Sequence, residues 1–272
     1  MMKEENGMQV NSQRLKERMN ILNSIAVTED GGMMRLALSD ADKKARDFLK
    51  VWMEEAGMKV RIDDMGTMYG YIPGSDPEAL PICTGSHLDT QPNGGKYDGL
   101  LGVMLSLEAV CTLKDNGIVT KSPLVVINWT NEEGARFVPP MLASGVVSGK
   151  FEAEWVYNIK DKDGIKFLDE LKRIGYLGEK ENRLKQAKAY IEAHIEQGPV
   201  LEAEGYQLGV VNACLGITGL DVTIIGEADH AGPTPMTMRK DALMVAAEVM
   251  LKVRDYVLTY GEPTVATMGT IS

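Results

Sequence analysis

Pro123–Trp129 reads PLVVINW, an almost unbroken apolar run of strand length. A strand with one wet face alternates apolar and polar residues; one that is apolar throughout must be covered on both faces, as strands of parallel α/β sheets are. A second apolar stretch, Leu80–Thr84, lies upstream, and a helix from about Leu100 to Lys114, stopped by Asn116–Gly117, separates the two. Strand, helix and buried strand make a βαβ unit, so an α/β fold is expected, with a mainly parallel, mixed sheet flanked by helices.

The remaining pattern is helices and strands in alternation. Residues 11–25 and 41–56 read as amphipathic helices, the second carrying Phe48, Leu49, Trp52 and Met53 at helical spacing and Gly57 as its stop. Residues 58–63 and 67–72 look like short strands turning at Asp64–Gly66, 139–149 and 163–174 like helices, and 187–195 (AKAYIEAHI) like another strand. From about residue 210 the texture changes. LDVTIIGEA reads as a strand ending in DHAGPTPM, 240–258 as a strongly periodic helix, and TVATMGTIS as a last strand. We therefore divide the chain into a domain over 1–211 and part of a smaller α+β domain over 212–272. The apolar end with no polar tail leads us to expect a fragment of a longer protein.

With 44% hydrophobic and 25% charged residues in 272, the composition is that of an ordinary globular protein. Lys+Arg 29 against Asp+Glu 39 gives a formal net charge of −10. A field of that sign repels phosphate backbones and anionic lipid, so nucleic acid and membranes are not expected partners. Cys83, Cys111 and Cys214 are odd in number, widely spaced and set in apolar runs. They form no disulfide framework and fit a reducing compartment. The charged start, MMKEENGMQV, lacks the apolar core of a secretion signal, and no apolar run approaches the roughly 20 residues that span a bilayer. A cytoplasmic protein is expected.

All three histidines, His87, His194 and His230, fall in polar, turn-rich segments beside strand ends and next to carboxylates. In His87-Leu88-Asp89, residues i and i+2 of an extended segment share a face, so Asp89 can orient the imidazole and raise its basicity. The loop PNGGKYDG, bending at Gly94 and Gly95, brings Asp98 back towards His87; the plainer alternative is that Asp98 caps the following helix. Glu132-Glu133 follows the buried strand directly, at the strand end where α/β sheets collect ligands. There one carboxylate can bind metal while the other serves as general base. In EAHIEQG, Glu192, His194 and Glu196 are expected on one face, with Gln197 opposite at the turn. Histidine with carboxylates is a ligand set that suits Zn²⁺, Mn²⁺ or Co²⁺ better than copper or Ca²⁺.

GSHLDT, GGKYDG, NEEGARF, HIEQGP and DHAGPTPM, in that order, resemble the N-carbamoyl-L-amino-acid hydrolases, allantoate amidohydrolases and β-ureidopropionases of the M20 metallopeptidase clan. The resemblance runs from about residue 11 to the end. It implies an M20 catalytic domain followed by a lid and dimerisation domain, and a hydrolase cleaving a carbamoyl or ureido C–N bond of a small molecule. It implies two divalent metal ions: His87 and His194 on one, Asp98 bridging both, Glu133 on the second. Glu132 would be the general base, Asp89 the partner of His87, and Gln197 a substrate-side residue. His230 resembles a histidine that reaches a partner subunit's active site and polarises the substrate, which implies a homodimer; its plainer alternative is a turn cap before Pro233. Related aminoacylases and peptidases usually carry an acidic residue where this chain has His194.

One departure stands out. The family pattern continues past residue 272 with substrate-binding asparagine and arginine residues and a last metal-ligating histidine, and no histidine follows His230 here. The chain as given is therefore expected to hold the second metal weakly and to be nearly inactive. Two alternatives remain: an M20 aminoacylase or peptidase cleaving an ordinary amide, and a non-catalytic metal-binding or dimerising module.

Overall fold

The computed structural model describes residues 8–272; Met1–Gly7, the greater part of the charged start discussed above, lie outside the described residues. In chain order the elements are α1 (Ser12–Asn23), α2 (Asp40–Glu55), β1 (Lys59–Ile62), β2 (Met68–Ile72), β3 (Ile82–His87), α3 (Leu100–Asp115) and β4 (Leu124–Trp129). Then follow α4 (Leu142–Val147), α5 (Ala153–Tyr157), α6 (Phe167–Ile174), β5 (Ala189–Ile191), α7 (Val200–Glu204) and α8 (Ala242–Leu258).

The strands form one mixed sheet in the order β1-β2-β4-β3-β5. β1 and β2, and β2 and β4, run antiparallel; β3 is parallel to both β4 and β5. The all-apolar run thus lies inside the sheet, as its composition requires. Its side chains alternate between two covered faces: Val126 joins the main core with Met53, Val103 and Leu107, while Val125 and Ile127 join Tyr69 and Cys83 on the other. α2 begins where Ser39 accepts a bond from the Asp42 amide and puts Asp40 and Asp42 in its first turn, both favourable at a helix N-terminus. The β3–α3–β4 unit carries the strand ends where His87 and Glu132 emerge.

The chain divides into two compact units, Met1–Leu208 and Gly209–Ser272. In the second, Asp241 caps α8 by accepting from the Leu243 and Met244 amides at 3.1 and 3.2 Å. The strands expected over LDVTIIGEA and TVATMGTIS are not formed among the described residues. Alternating β-branched residues favour an extended chain, but a strand exists only as part of a ladder, and neither segment forms one among the described residues. The predicted strand 187–195 shortens to Ala189–Ile191 for the same reason, since its ladder with β3 ends there. Neither α5 nor α7 is expected from the sequence pattern. No helix of the described residues is long and apolar enough to cross a membrane.

Candidate metal centre

His87 is the last residue of β3, buried to 2% exposure. Its Nδ1 lies 2.9 Å from the main-chain oxygen of Asp89, which can only accept, so Nδ1 carries the proton and Nε2 presents a bare lone pair. His194, three residues beyond β5, repeats the arrangement with Nδ1 2.9 Å from the Ile195 oxygen. Its Nε2 lies 3.3 Å from Asp98 Oδ1. Asp98 Oδ2 accepts from Gln197 Nε2 at 2.7 Å, whereas the buried Oδ1 has no hydrogen-bond partner among the described residues. His87, Asp98 and His194 each offer one ligand atom, all within 4.8 Å of one another. Two imidazoles, each with Nδ1 turned to a carbonyl, and an orphaned carboxylate oxygen lie close together. That donor set fits a divalent cation.

The loop that delivers Asp98 turns differently from expectation. Neither Gly94 nor Gly95 has a positive φ; Asn93 (φ 55) and Gly99 (φ 62) do. Asn tolerates the left-handed region well, and Gly99 is needed there for a second reason: a Cβ would lie 2.4 Å from Cε1 and Nε2 of His87. The capping alternative for Asp98 fails, because the N-cap of α3 is Gly99 and no side chain caps the helix.

Asp89 holds two parts of the site, one of them not as expected. Its carbonyl oxygen orients His87, while its carboxylate, 3.8 Å from His87 Nδ1, accepts from the amides of Glu132 at 3.3 Å and Glu133 at 3.2 Å. The turn carrying the two glutamates is further fixed by Asn131, which takes φ 56 and donates from Nδ2 to the Phe137 oxygen at 2.8 Å. Glu132 Oε2 comes to 3.4 Å from His87 Nε2. Glu133 points elsewhere: its Oε2 accepts from Gln91 Nε2 at 2.9 Å, and it lies outside the three-residue ligand group. Burial pushes the Glu132 carboxyl above the usual range, countered by His87 and reinforced by Asp89 and Glu133. Burial does the same to Asp89. For His87 burial acts downward, but Asp89 and Glu132 outweigh it and the imidazole sits above its ordinary value.

The expected common face of Glu192, His194 and Glu196 is not formed, because β5 ends at Ile191 and the chain turns at Gln197 (φ 57). Glu192 instead accepts from Ser86 and Tyr190, and Glu196 accepts from the Val200 and Leu201 amides at the start of α7. His230 belongs to the second unit, where its Nδ1 accepts from the Gly232 amide at 3.0 Å, a local turn bond. Gln91 and Gly99 were not singled out from the sequence. Gln91 has no spacing signal, while Gly99 follows Asp98 at a helix start, where a glycine is informative.

The model of peptidase family M20/M25/M40 matches residues 83–270. The chain is 52% identical over 241 residues to an N-carbamoyl-L-amino-acid amidohydrolase of Rhizobium meliloti, an alignment covering 89% of this chain and 58% of the relative. It is 39% identical over 226 residues to allantoate deiminase 1 of Glycine max, covering 80% of this chain and 47% of that protein. Its fold resembles the crystal structure of a hydantoinase/carbamoylase family amidase from Burkholderia ambifaria, with a TM-score of 0.79, 39% identity, and coverage of 97% of this chain and 64% of the other. The chain thus spans about half to two thirds of the length of these relatives. The match takes in both imidazoles, Asp98 and the two glutamates: the chain belongs to peptidase family M20/M25/M40.

Proposed function

We propose that this chain carries the hydrolytic centre of an amidohydrolase that cleaves a carbamoyl or ureido C–N bond of a small molecule, an N-carbamoyl amino acid or an allantoate-like compound. The observation that carries the reading is the grouping of His87, His194 and Asp98, whose ligand atoms lie within 4.8 Å of one another, with both Nδ1 atoms turned to carbonyls. These three residues would hold one divalent cation, Zn²⁺, Mn²⁺ or Co²⁺. Asp98, which has two oxygens, and Glu133 would serve a second. When bound, such cations supply positive charge that acidifies water and polarises a carbonyl oxygen.

Glu132 has the chemistry of the general base. Its carboxylate stands beside His87 Nε2, its main chain is held by Asp89, and burial raises its proton affinity towards that needed to take a proton from water and return it to a leaving nitrogen. Asp89 keeps the His87 tautomer and the Glu132–Glu133 turn in register with each other. Gln197, through Asp98 Oδ2, sets the orientation of that carboxylate and remains on the substrate side. On the family resemblance we further assign His230 to substrate polarisation across a homodimer, with the protein in the cytoplasm. Cys83 and Cys111 are buried free thiols, as a reducing compartment allows.

The test has two parts. Glu132→Gln is expected to bind Zn²⁺ or Mn²⁺ nearly as the parent does and to lose roughly 10²–10⁴-fold in turnover where the parent turns over. A panel of N-carbamoyl, ureido and N-acetyl amino acids then separates the proposed bond from an ordinary amide. Wild-type turnover by Glu132→Gln, or preference for the N-acetyl substrate, overturns the assignment.

A further inference from the structure

His87 ends β3 and His194 follows β5, and the ladder between these two strands stops short of both histidines. β3 pairs with β5 only at Ile82↔Ala189, Cys83↔Tyr190 and Thr84↔Ile191. On its other edge β3 is held by β4 as far as His87↔Trp129, so His87 is fixed by the sheet. The segment from Glu192 to His194 has no ladder to fix it. Across that gap Ser86 Oγ donates to Glu192 Oε1 at 2.5 Å. Glu192 Oε2 accepts from the Tyr190 hydroxyl at 2.7 Å, and the Tyr190 oxygen accepts from Trp129 Nε1 at 3.0 Å. One carboxylate is thereby tied directly to β3 and, through Tyr190, to β4. Gly102 of α3 packs on the same seam, where a Cβ would lie 2.4 Å from the Ala193 oxygen and 2.8 Å from Ser86 Cβ.

We propose that Glu192 is a positioning residue that docks the 192–194 segment beside β3, so that His194 Nε2 faces His87 and Asp98. The inference rests on the metal reading of that centre. Two hydroxyl donors on one carboxylate make short, charge-assisted bonds that outlast those of a neutral acceptor. They hold the chain where a three-residue edge strand alone would fray.

The experiment measures Zn²⁺ affinity of the purified chain by competition with a chelator, for wild type, Glu192→Ala, Glu192→Gln, Ser86→Ala and the Ser86/Glu192 double alanine, with His194→Ala as the reference for a lost donor. Glu192→Ala is expected to weaken binding roughly 10–100-fold, the effect of removing a partner that orients a ligand. Glu192→Gln, which keeps one neutral carbonyl oxygen for Ser86, is expected to recover part of the loss, a rescue that general destabilisation would not show. Ser86→Ala is expected to weaken binding in the same direction, and the double alanine to be no worse than Glu192→Ala alone. Wild-type affinity in Glu192→Ala, or no rescue by glutamine, overturns this proposal alone. A wild-type chain whose Zn²⁺ binding matches that of His194→Ala overturns the metal reading and this proposal with it.

Discussion

Gly99→Ala tests whether the His87 imidazole is placed by contact with the backbone behind it. Gly99 has φ 62 and ψ −49, a region closed to residues with a Cβ, so alanine there costs about 1–3 kcal/mol in backbone strain. The added methyl carbon would lie 2.4 Å from Cε1 and Nε2 of His87, against 3.4 Å for ordinary contact, so the ring must retreat by about 1 Å. It cannot do so freely: the ring is buried, and its Nδ1 is bonded to the Asp89 oxygen. Metal–ligand distances tolerate roughly 0.2 Å, so a retreat of this size removes His87 as a donor. We expect the unfolding free energy to fall by about 1–3 kcal/mol and Zn²⁺ affinity to fall by roughly 100-fold or more, the upper end of what misdirecting a ligand costs. Gly95→Ala is the control, because that glycine lies in the same loop with no positive φ and nothing within 4 Å of its would-be Cβ. Isothermal titration with Zn²⁺ and urea denaturation report the two quantities. If Gly99→Ala binds Zn²⁺ like wild type, or if Gly95→Ala loses as much, the packing argument is wrong.

Two further predictions concern buried charge. Arg46 and Asp42 are both fully buried, and Arg46 donates to Asp42 at 2.8 Å, to the Gly66 oxygen at 2.7 Å and to Thr130 at 3.2 Å. Arg46→Met strands the aspartate and is expected to lose about 3–5 kcal/mol in urea denaturation, much of it regained with Asp42→Leu; a loss under about 1 kcal/mol refutes the pairing. Asp63 is fully buried, and burial, partly opposed by the Tyr69 hydroxyl and two amides, pushes its carboxyl up to about 6 from 3.8. The native state therefore binds more protons than the unfolded chain between those values, so this group's contribution to stability falls as pH rises from about 4 to 7, by about 2 kcal/mol. Asp63→Asn keeps both amide bonds and can donate to Tyr69. The stability of wild type relative to this variant should therefore drop by that amount between pH 4 and pH 7, and an unchanged difference refutes the assignment.

The sheet was legible because its signals are local. PLVVINW declares a strand covered on both faces, and the helix before it is bounded by Asp98–Gly99 and Asn116–Gly117; both sit where the sequence put them. The convergence of His87, Asp98 and His194 was also foreseeable, since each follows or precedes a predicted strand or helix end. What composition does not encode is which atom of a residue makes the bond. The spacing of His87 and Asp89 suggests a carboxylate partner, yet Asp89 supplies a carbonyl there and its carboxylate accepts from two amides. Strand periodicity puts Glu192 and Glu196 on the face of His194, but it has no force once the ladder ends at Ile191. The strands expected beyond residue 210 failed on the same ground, because extended segments need partners that their own sequence does not name.

The charges around the centre are arranged in two layers. Behind His87, the buried arginines carry the compensation: Arg35 donates to the Leu88 oxygen at 3.1 Å, and Arg46 pairs with Asp42. Asp42 and Asp89 both favour the charged form of Arg35 against burial, and Arg35 Nη2 and Asp42 Oδ1 each lack a hydrogen-bond partner among the described residues. In front, Asp98 and Glu132 have only histidines as ion-pair partners among the described residues, and Glu133 and Glu192 have none. Asp89, Glu133 and Glu192 all raise the proton affinity of Glu132. A protein can satisfy several neighbouring carboxylates by protonating them or by placing a cation among them. Protonation serves poorly here, because Asp89 needs its charge to hold two amides and a general base must be ionised to accept a proton. A divalent cation relieves the repulsion without removing either function, and the two bare imidazole nitrogens give it a place to sit. The same field accounts for the chemistry assigned to Glu132: burial and the neighbouring carboxylates raise its proton affinity, the direction that general-base catalysis calls for.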